Sequence, residues 1–177
     1  MSGFRIAIGL AAAWLVAGCG GDSGPPRPLE IGLRGQDGSF VPLAENDEVA
    51  IVLGANGLNM IVPSLRASDI DPHAPDPTVE IEIGGTLMAA DIEGSRVDMT
   101  DDGVGYVLWD IRTPFQTELC CYNCSAGLVT ARIQDASGQA FEGSVTVTFE
   151  RGGCPDPAVC CQNVDVCPEP EQAKLCQ

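Results

Sequence analysis

After one apolar N-terminal run, the chain is a series of short segments in which apolar and polar residues alternate. Gly, Pro, Asp and Asn separate them. Thr78–Ile83 alternates cleanly, with Val79, Ile81 and Ile83 on one face. Period-two alternation predicts a strand with one face buried. Gly84-Gly85 then suits a hairpin turn into a strand over 86–92. The clearest pair is 128–134 and 141–149 around Asp135-x-x-Gly138, with Phe141, Val145, Val147 and Phe149 alternating against polar residues except at Gly143. Further strands are predicted at 29–34, 40–41, 48–53, 60–65 and 103–111. Pro63 cannot donate to a ladder, so it predicts an edge position or a bulge. In 103–111, alternation places Tyr106, Leu108 and Asp110 on one face and Val107, Trp109 and Ile111 on the other, with Trp109 in the core. No stretch after the first run holds helical spacing over a useful length. Many short strands with regular turn signals predict an all-β fold, a β-sandwich.

The apolar run itself is Ile6–Ala17, preceded by Arg5 and no acid. It is shorter than the roughly 20 apolar residues that span a bilayer, and fits the apolar core of a secretory signal. It ends in Leu15-Val16-Ala17-Gly18-Cys19. Two small residues before a Cys resemble the lipobox of bacterial lipoproteins. That resemblance implies removal of residues 1–18 and lipidation of Cys19. Leucine is commonest three residues before the Cys in that family; here Val16 stands there. Gly20 rather than Asp after the Cys implies the outer membrane by the same likeness. Residues 19–28 read as a Gly/Pro-rich tether. The Gly-Asp-Ser-Gly-Pro within it looks like a serine-protease motif, but it has no strand scaffold and no nearby His. The expected organisation is therefore a signal at 1–18, a tether at 19–28, a domain at 29–150 and a tail at 151–177.

The net charge is −16. A nucleic-acid binder needs a basic face, so that class is excluded. Attraction to anionic headgroups is excluded on the same ground, which leaves the lipid on Cys19 as the membrane link. Setting Cys19 apart leaves eight cysteines: Cys120, Cys121, Cys124, Cys154, Cys160, Cys161, Cys167 and Cys176. An even number in an exported chain reads as a disulfide set. If the last two strands form a hairpin, the group before the first and the group after the second meet at one pole. Three and five cysteines cannot each pair completely among themselves, so full oxidation needs one or three bridges between the groups. A metal site is the rival reading of Cys-Cys-x-x-Cys, but structural zinc takes paired Cys-x-x-Cys or Cys/His sets, and the one His is distant.

The run Gly54-x-x-Gly57, then Ser64-Leu65-Arg66, with the Asp135-x-x-Gly138 hairpin, is similar to a group of secreted lipoproteins from myxobacteria-like organisms. The likeness covers roughly residues 29–150. It implies an immunoglobulin-like domain at the cell envelope and transfers no activity or binding residue. The Cys-rich tail departs from that group.

Few residues point to chemistry. Asp98, Thr100 and Asp102, before Gly103, partly match a calcium loop, but Trp109 stands where the bidentate Glu belongs and no helices flank it. A plain acidic turn is the favoured reading. His73 reads as a solvated loop residue, with Asp69, Asp71 and Asp76 as weak cation ligands. Tyr122 and Asn123 could form a recognition surface. No nucleophile–base pair is present, so no catalytic residue and no cofactor are expected. The expectation is a non-enzymatic envelope interaction module with a protein or polysaccharide ligand. Its alternatives are a calcium-dependent adhesion module and a carboxylate-based hydrolase.

Overall fold

The computed structural model describes residues 24–54, 58–89, 98–115 and 125–150. Cys19, all eight remaining cysteines, Tyr122, Asn123, residues 1–23 and residues 151–177 lie outside the described part. Every regular element described is a strand.

In chain order the strands are β1 (Arg27–Pro28), β2 (Glu30–Arg34), β3 (Phe40–Pro42), β4 (Asp47–Ala50), β5 (Val52–Leu53), β6 (Asn59–Ile61) and β7 (Ser64–Ala67). They continue as β8 (Asp76–Ile83), β9 (Thr86–Ala89), β10 (Thr100–Asp101), β11 (Tyr106–Leu108), β12 (Thr113–Pro114), β13 (Ala126–Gln134) and β14 (Ala140–Glu150). One sheet has the order β1-β14-β13-β8-β9, with β4 also on β14; a second has the order β10-β11-β7-β2-β3. A small sheet, β12-β6-β5, stands apart from both. The two large sheets share one core. Val79, Ile81, Ile83, Val129, Ala131, Ile133, Phe141, Val147 and Phe149 enter it from the first, and Ile31, Leu65, Ala67 and Leu108 from the second.

The long hairpin forms where alternation predicts it. Ile133 pairs with Phe141, and Ala126 with Thr148. Asp135 closes its turn: one carboxylate oxygen accepts from the Ser137 N–H at 2.9 Å, the Ser137 hydroxyl at 2.6 Å and the Gln139 N–H at 3.0 Å. Gly84 and Gly85 both have positive φ, 58° and 82°, as a two-residue hairpin turn requires. Gly143 interrupts the alternation because the Leu29 carbonyl lies where its Cβ would be. There the N-terminal strand crosses β14, with the Leu29 N–H donating to the Glu142 carbonyl at 3.0 Å.

Three expectations are corrected. The segments read as single strands at 48–53 and 60–65 each divide between sheets. β4 lies on β14 and β5 on β6; β6 lies on β12 and β7 on β2. Pro63 is the corner between β6 and β7, and its carbonyl accepts from the Ile111 N–H at 2.7 Å. In 103–111, Asp110 takes a left-handed φ of 56°. That reverses the alternation after Trp109 and turns Ile111 into the core. Trp109 is half-buried outside the core cluster instead of within it. Arg27 and Pro28, read as tether, form a short parallel strand on β14.

Register also orders the poles. Arg27 stands beside Phe141, so the chain reaches the fold at the 135–138 turn. β14 then runs to Glu150 at the opposite pole, about 30 Å away at about 3.3 Å per residue. Ser125 lies at that far pole too, since its carbonyl accepts from the Phe149 N–H at 3.0 Å.

Candidate functional site

The outer face of the second sheet carries a row in which two rings, Phe40 and Trp109, lie between two cations, Arg66 and Arg34. One end of it is Arg66. Strand pairing sets Arg66 beside Glu30 on β2 and Val107 on β11. Its guanidinium reaches Glu30 at 2.6 Å and Asp102 at 3.2 Å, and lies 4.4 Å from the centre of the Phe40 ring. Phe40 can lie there because Gly32 is beneath it: a Cβ on Gly32 would come within 2.5 Å of the Phe40 ring. The Phe40 ring meets Trp109 edge-on at 6.3 Å. Arg34 then covers Trp109 at 4.4 Å and pairs with Asp110 at 2.7 Å. The left-handed Asp110 is held by its N–H, which donates to the buried Ser64 hydroxyl at 3.2 Å.

The electrostatics follow from these contacts. The hydrogen bond to Glu30, then that to Asp102, raises the Arg66 pKa further. Burial pushes the Asp102 carboxyl up, but N–H groups of Val104 and Gly105 and the Arg66 guanidinium outweigh it, and its pKa lies below the usual value. This face can stack a flat or apolar ligand group against Trp109 and Arg34, with Asp110 as a neighbouring acceptor.

The calcium-loop residues are not brought together. Asp98 turns to the 72–74 loop, accepting from the Ala74 N–H at 3.0 Å, with His73 Nδ1 at 3.6 Å from its other oxygen. These contacts, led by the Ala74 hydrogen bond, lower its pKa. Thr100 is exposed on β10. Asp102 turns instead to its own turn and to Arg66. His73 is largely exposed. Asp71 accepts from the His73 N–H, and its own N–H donates to Asp135, while Asp69 has a left-handed φ of 55°. Among the described residues no group of three or more His, Cys, Asp or Glu side chains is placed to hold a metal ion.

Sequence reasoning missed two features. Glu48 and Glu150, on neighbouring parallel strands, share a hydrogen bond that raises the Glu48 pKa. The far pole also carries exposed apolar side chains: Val52 and Leu53 on β5, Leu87 on β9 and Leu128 on β13. Leu87 and Leu128 flank Glu82 in one row of the first sheet. No protein-family model matches the chain, and no curated protein matches it.

Proposed function

We propose that the chain is a lipid-anchored, non-enzymatic interaction module of the cell envelope, built on an immunoglobulin-like β-sandwich. The strand order supports the fold type. Taking β2, β7, β8, β9, β10, β11, β13 and β14 as A, B, C, C′, D, E, F and G gives an A-B-E-D sheet facing a C′-C-F-G sheet.

The observation that carries the functional reading is the polarity of the fold. The chain reaches the domain at the pole holding Asp69, whose carbonyl accepts from Arg27, and Asp71, Asp98 and Asp135, which are joined through backbone and His73 contacts. A lipid on Cys19 would therefore put the acidic pole toward the bilayer, within about 25 Å for a tether of seven or so extended residues. Anionic headgroups repel that pole, which keeps the domain upright. Leu87, Leu128 and the Trp109–Arg34 end of the outer-face row then lie on the side of the domain away from the membrane, available to an envelope protein or polysaccharide. In sequence, the cysteines at 120–124 precede Ser125 and those at 154–176 follow Glu150, two residues of this far pole, and one or three bridges between the groups would staple it.

Two arms test the reading. Cys19→Ala should release the protein from the membrane fraction; continued membrane partition would sink the anchor. A photo-crosslinking residue at Leu87 should capture a partner in intact cells, whereas one at Asp71 should not. Equal capture from both poles would refute the orientation.

A further inference from the structure

We propose that the edge of β9 takes up an extended segment of a partner protein, which lays a Lys or Arg side chain across Leu87 to reach Glu82. This rests on the interaction-module reading and names the partner's chemistry. The backbone, the apolar surface and the charge of this edge all point to it.

β9 ends the first sheet, with β8 on one side only. Ile83 and Thr86 flank the two-residue turn and pair with each other, so they are the hydrogen-bonded pair that closes the hairpin. Hydrogen-bonded and non-hydrogen-bonded pairs alternate along an antiparallel ladder. The next pair, Glu82 and Leu87, is therefore of the second kind, and the Leu87 N–H and C=O point away from β8. Among the described residues they meet no hydrogen-bond partner. Such an edge can accept an added strand. The other edges of the two large sheets are guarded. β1 and β4 cover β14, β3 ends in Pro42, which has no N–H to give, and β10 has two residues, one of them Asp101. β9 holds neither a proline nor a charge. The register shift between Ile81 and Glu82 keeps the added pairing short and centred on Leu87.

Side chains must therefore supply the rest. Leu87 is 52% exposed and Leu128 38%, and Glu82 stands exposed between them. Glu80 and Glu142 are paired with Arg132, whereas among the described residues Glu82 has no cation partner. An added strand would lie two strand spacings from β8, about 9–10 Å. Lys and Arg cross such a gap by laying their stems on apolar surface and carrying the charge beyond it. Leu87 is that surface, and Glu82 the acceptor. A second copy of the chain would bring the same Leu87 and Glu82 with no cation between them, and a like net charge of −16. The complementary occupant is basic.

The test follows amide exchange of Leu87 by NMR in the full protein. The probes are two end-capped peptides, Val-Thr-Lys-Thr-Val-Thr and the same with Glu for Lys. In the protein alone the Leu87 N–H should exchange freely. Protection there would mean that the edge is already filled, and would overturn the proposal; so would protection that rises with protein concentration alone, the sign of a second copy. The Lys peptide should slow exchange at Leu87 several-fold more than the Glu peptide. In Glu82→Gln it should bind about two- to fivefold more weakly, the worth of an exposed ion pair. Glu82→Lys should reverse the preference. Equal protection by both peptides, or a preference that survives Glu82→Lys, would also overturn it. The interaction reading fails separately: if a photo-crosslinker at Leu87 captures a partner whose joined segment holds no Lys or Arg, the module stands and its basic partner does not.

Discussion

Arg66→Met removes a charge from the outer-face row while keeping most of the side-chain stem. The Arg66 side chain is only 15% exposed, and that of Asp102 16%. Their ion pair therefore lies between a surface pair, about 0.2–1 kcal/mol, and a buried one, about 3–5 kcal/mol when one partner is removed. Asp102 keeps its N–H donors from Val104 and Gly105, so the lower part of that interval applies. Glu30 is 53% exposed, and water replaces much of what it loses. The stacking of Arg66 on Phe40 adds about 0.5–1 kcal/mol. The expected loss is about 2–3 kcal/mol, or about 10 °C in Tm for a domain of this size. Urea unfolding of the protein, followed by far-UV circular dichroism, measures it. A cycle with Asp102→Asn should return a coupling energy of about 1 kcal/mol or more, since the two residues touch. A loss below about 0.5 kcal/mol, the range of ordinary surface changes, would show that the row is a crowd of solvated side chains rather than a built surface.

Other outcomes follow from particular residues. Gly143→Ala sets a methyl group on the Leu29 carbonyl, and should cost about 2–4 kcal/mol in urea unfolding through overpacking and a lost β1–β14 hydrogen bond. Asp135 has a lowered pKa: burial raises it, but the Ser137 hydroxyl and the Asp71, Gln139 and Ser137 N–H groups outweigh that. Its contribution is whole above the unfolded value of about 3.9 and is lost as pH falls through the lower folded value; Asp135→Asn should therefore lower Tm at pH 7 and much less at pH 2. Glu48 runs oppositely, its folded pKa being raised by Glu150. The pair gains stability as pH falls through that raised value, so Glu48→Gln should raise Tm at pH 7 and leave it unchanged at pH 4. Calcium titration should not move Tm, because the oxygens of Asp98 and Asp102 are turned to different partners; a shift of several degrees would restore the adhesion reading.

The fold was legible where neighbours in sequence are neighbours in space. β8 and the β13–β14 hairpin show this: their faces follow from alternation, and their turns from Gly84-Gly85 and Asp135-x-x-Gly138. Alternation reports which residues share a face. It does not report which strand lies beside which. The row on the second sheet joins Glu30, Arg66 and Asp102, which are 36 residues apart at each step, so no local pattern exposes it. The calcium-like spacing at 98–103 failed for the converse reason. Its residues are close in sequence, but β10 begins between Asp98 and Asp102, extended chain sets residues four apart about 13 Å from each other, and their carboxylates meet separate neighbours.

The breaks in pattern carried information that the pattern itself did not. Gly143 stands where another strand crosses, Pro63 where the chain changes sheet, and Asp110 where alternation reverses. In sequence, Gly143 and Pro63 stand out as breaks within a strand, whereas Asp110 passes for a regular member of one. Each is a place where a contact from far along the chain overrides local periodicity: the Leu29 carbonyl, the Ile111 N–H and the Ser64 hydroxyl respectively. Two of the three, Pro63 and Asp110, meet at Ser64 and Ile111, directly under the Trp109–Arg34 end of the row. The half-buried indole and its Asp–Arg neighbours are therefore set by a strained corner and not by a regular strand. A regular strand would have sent Asp110 to the core face and left Ile111 beside Trp109 on the outside. The departure from alternation is thus what gives this face its polar edge.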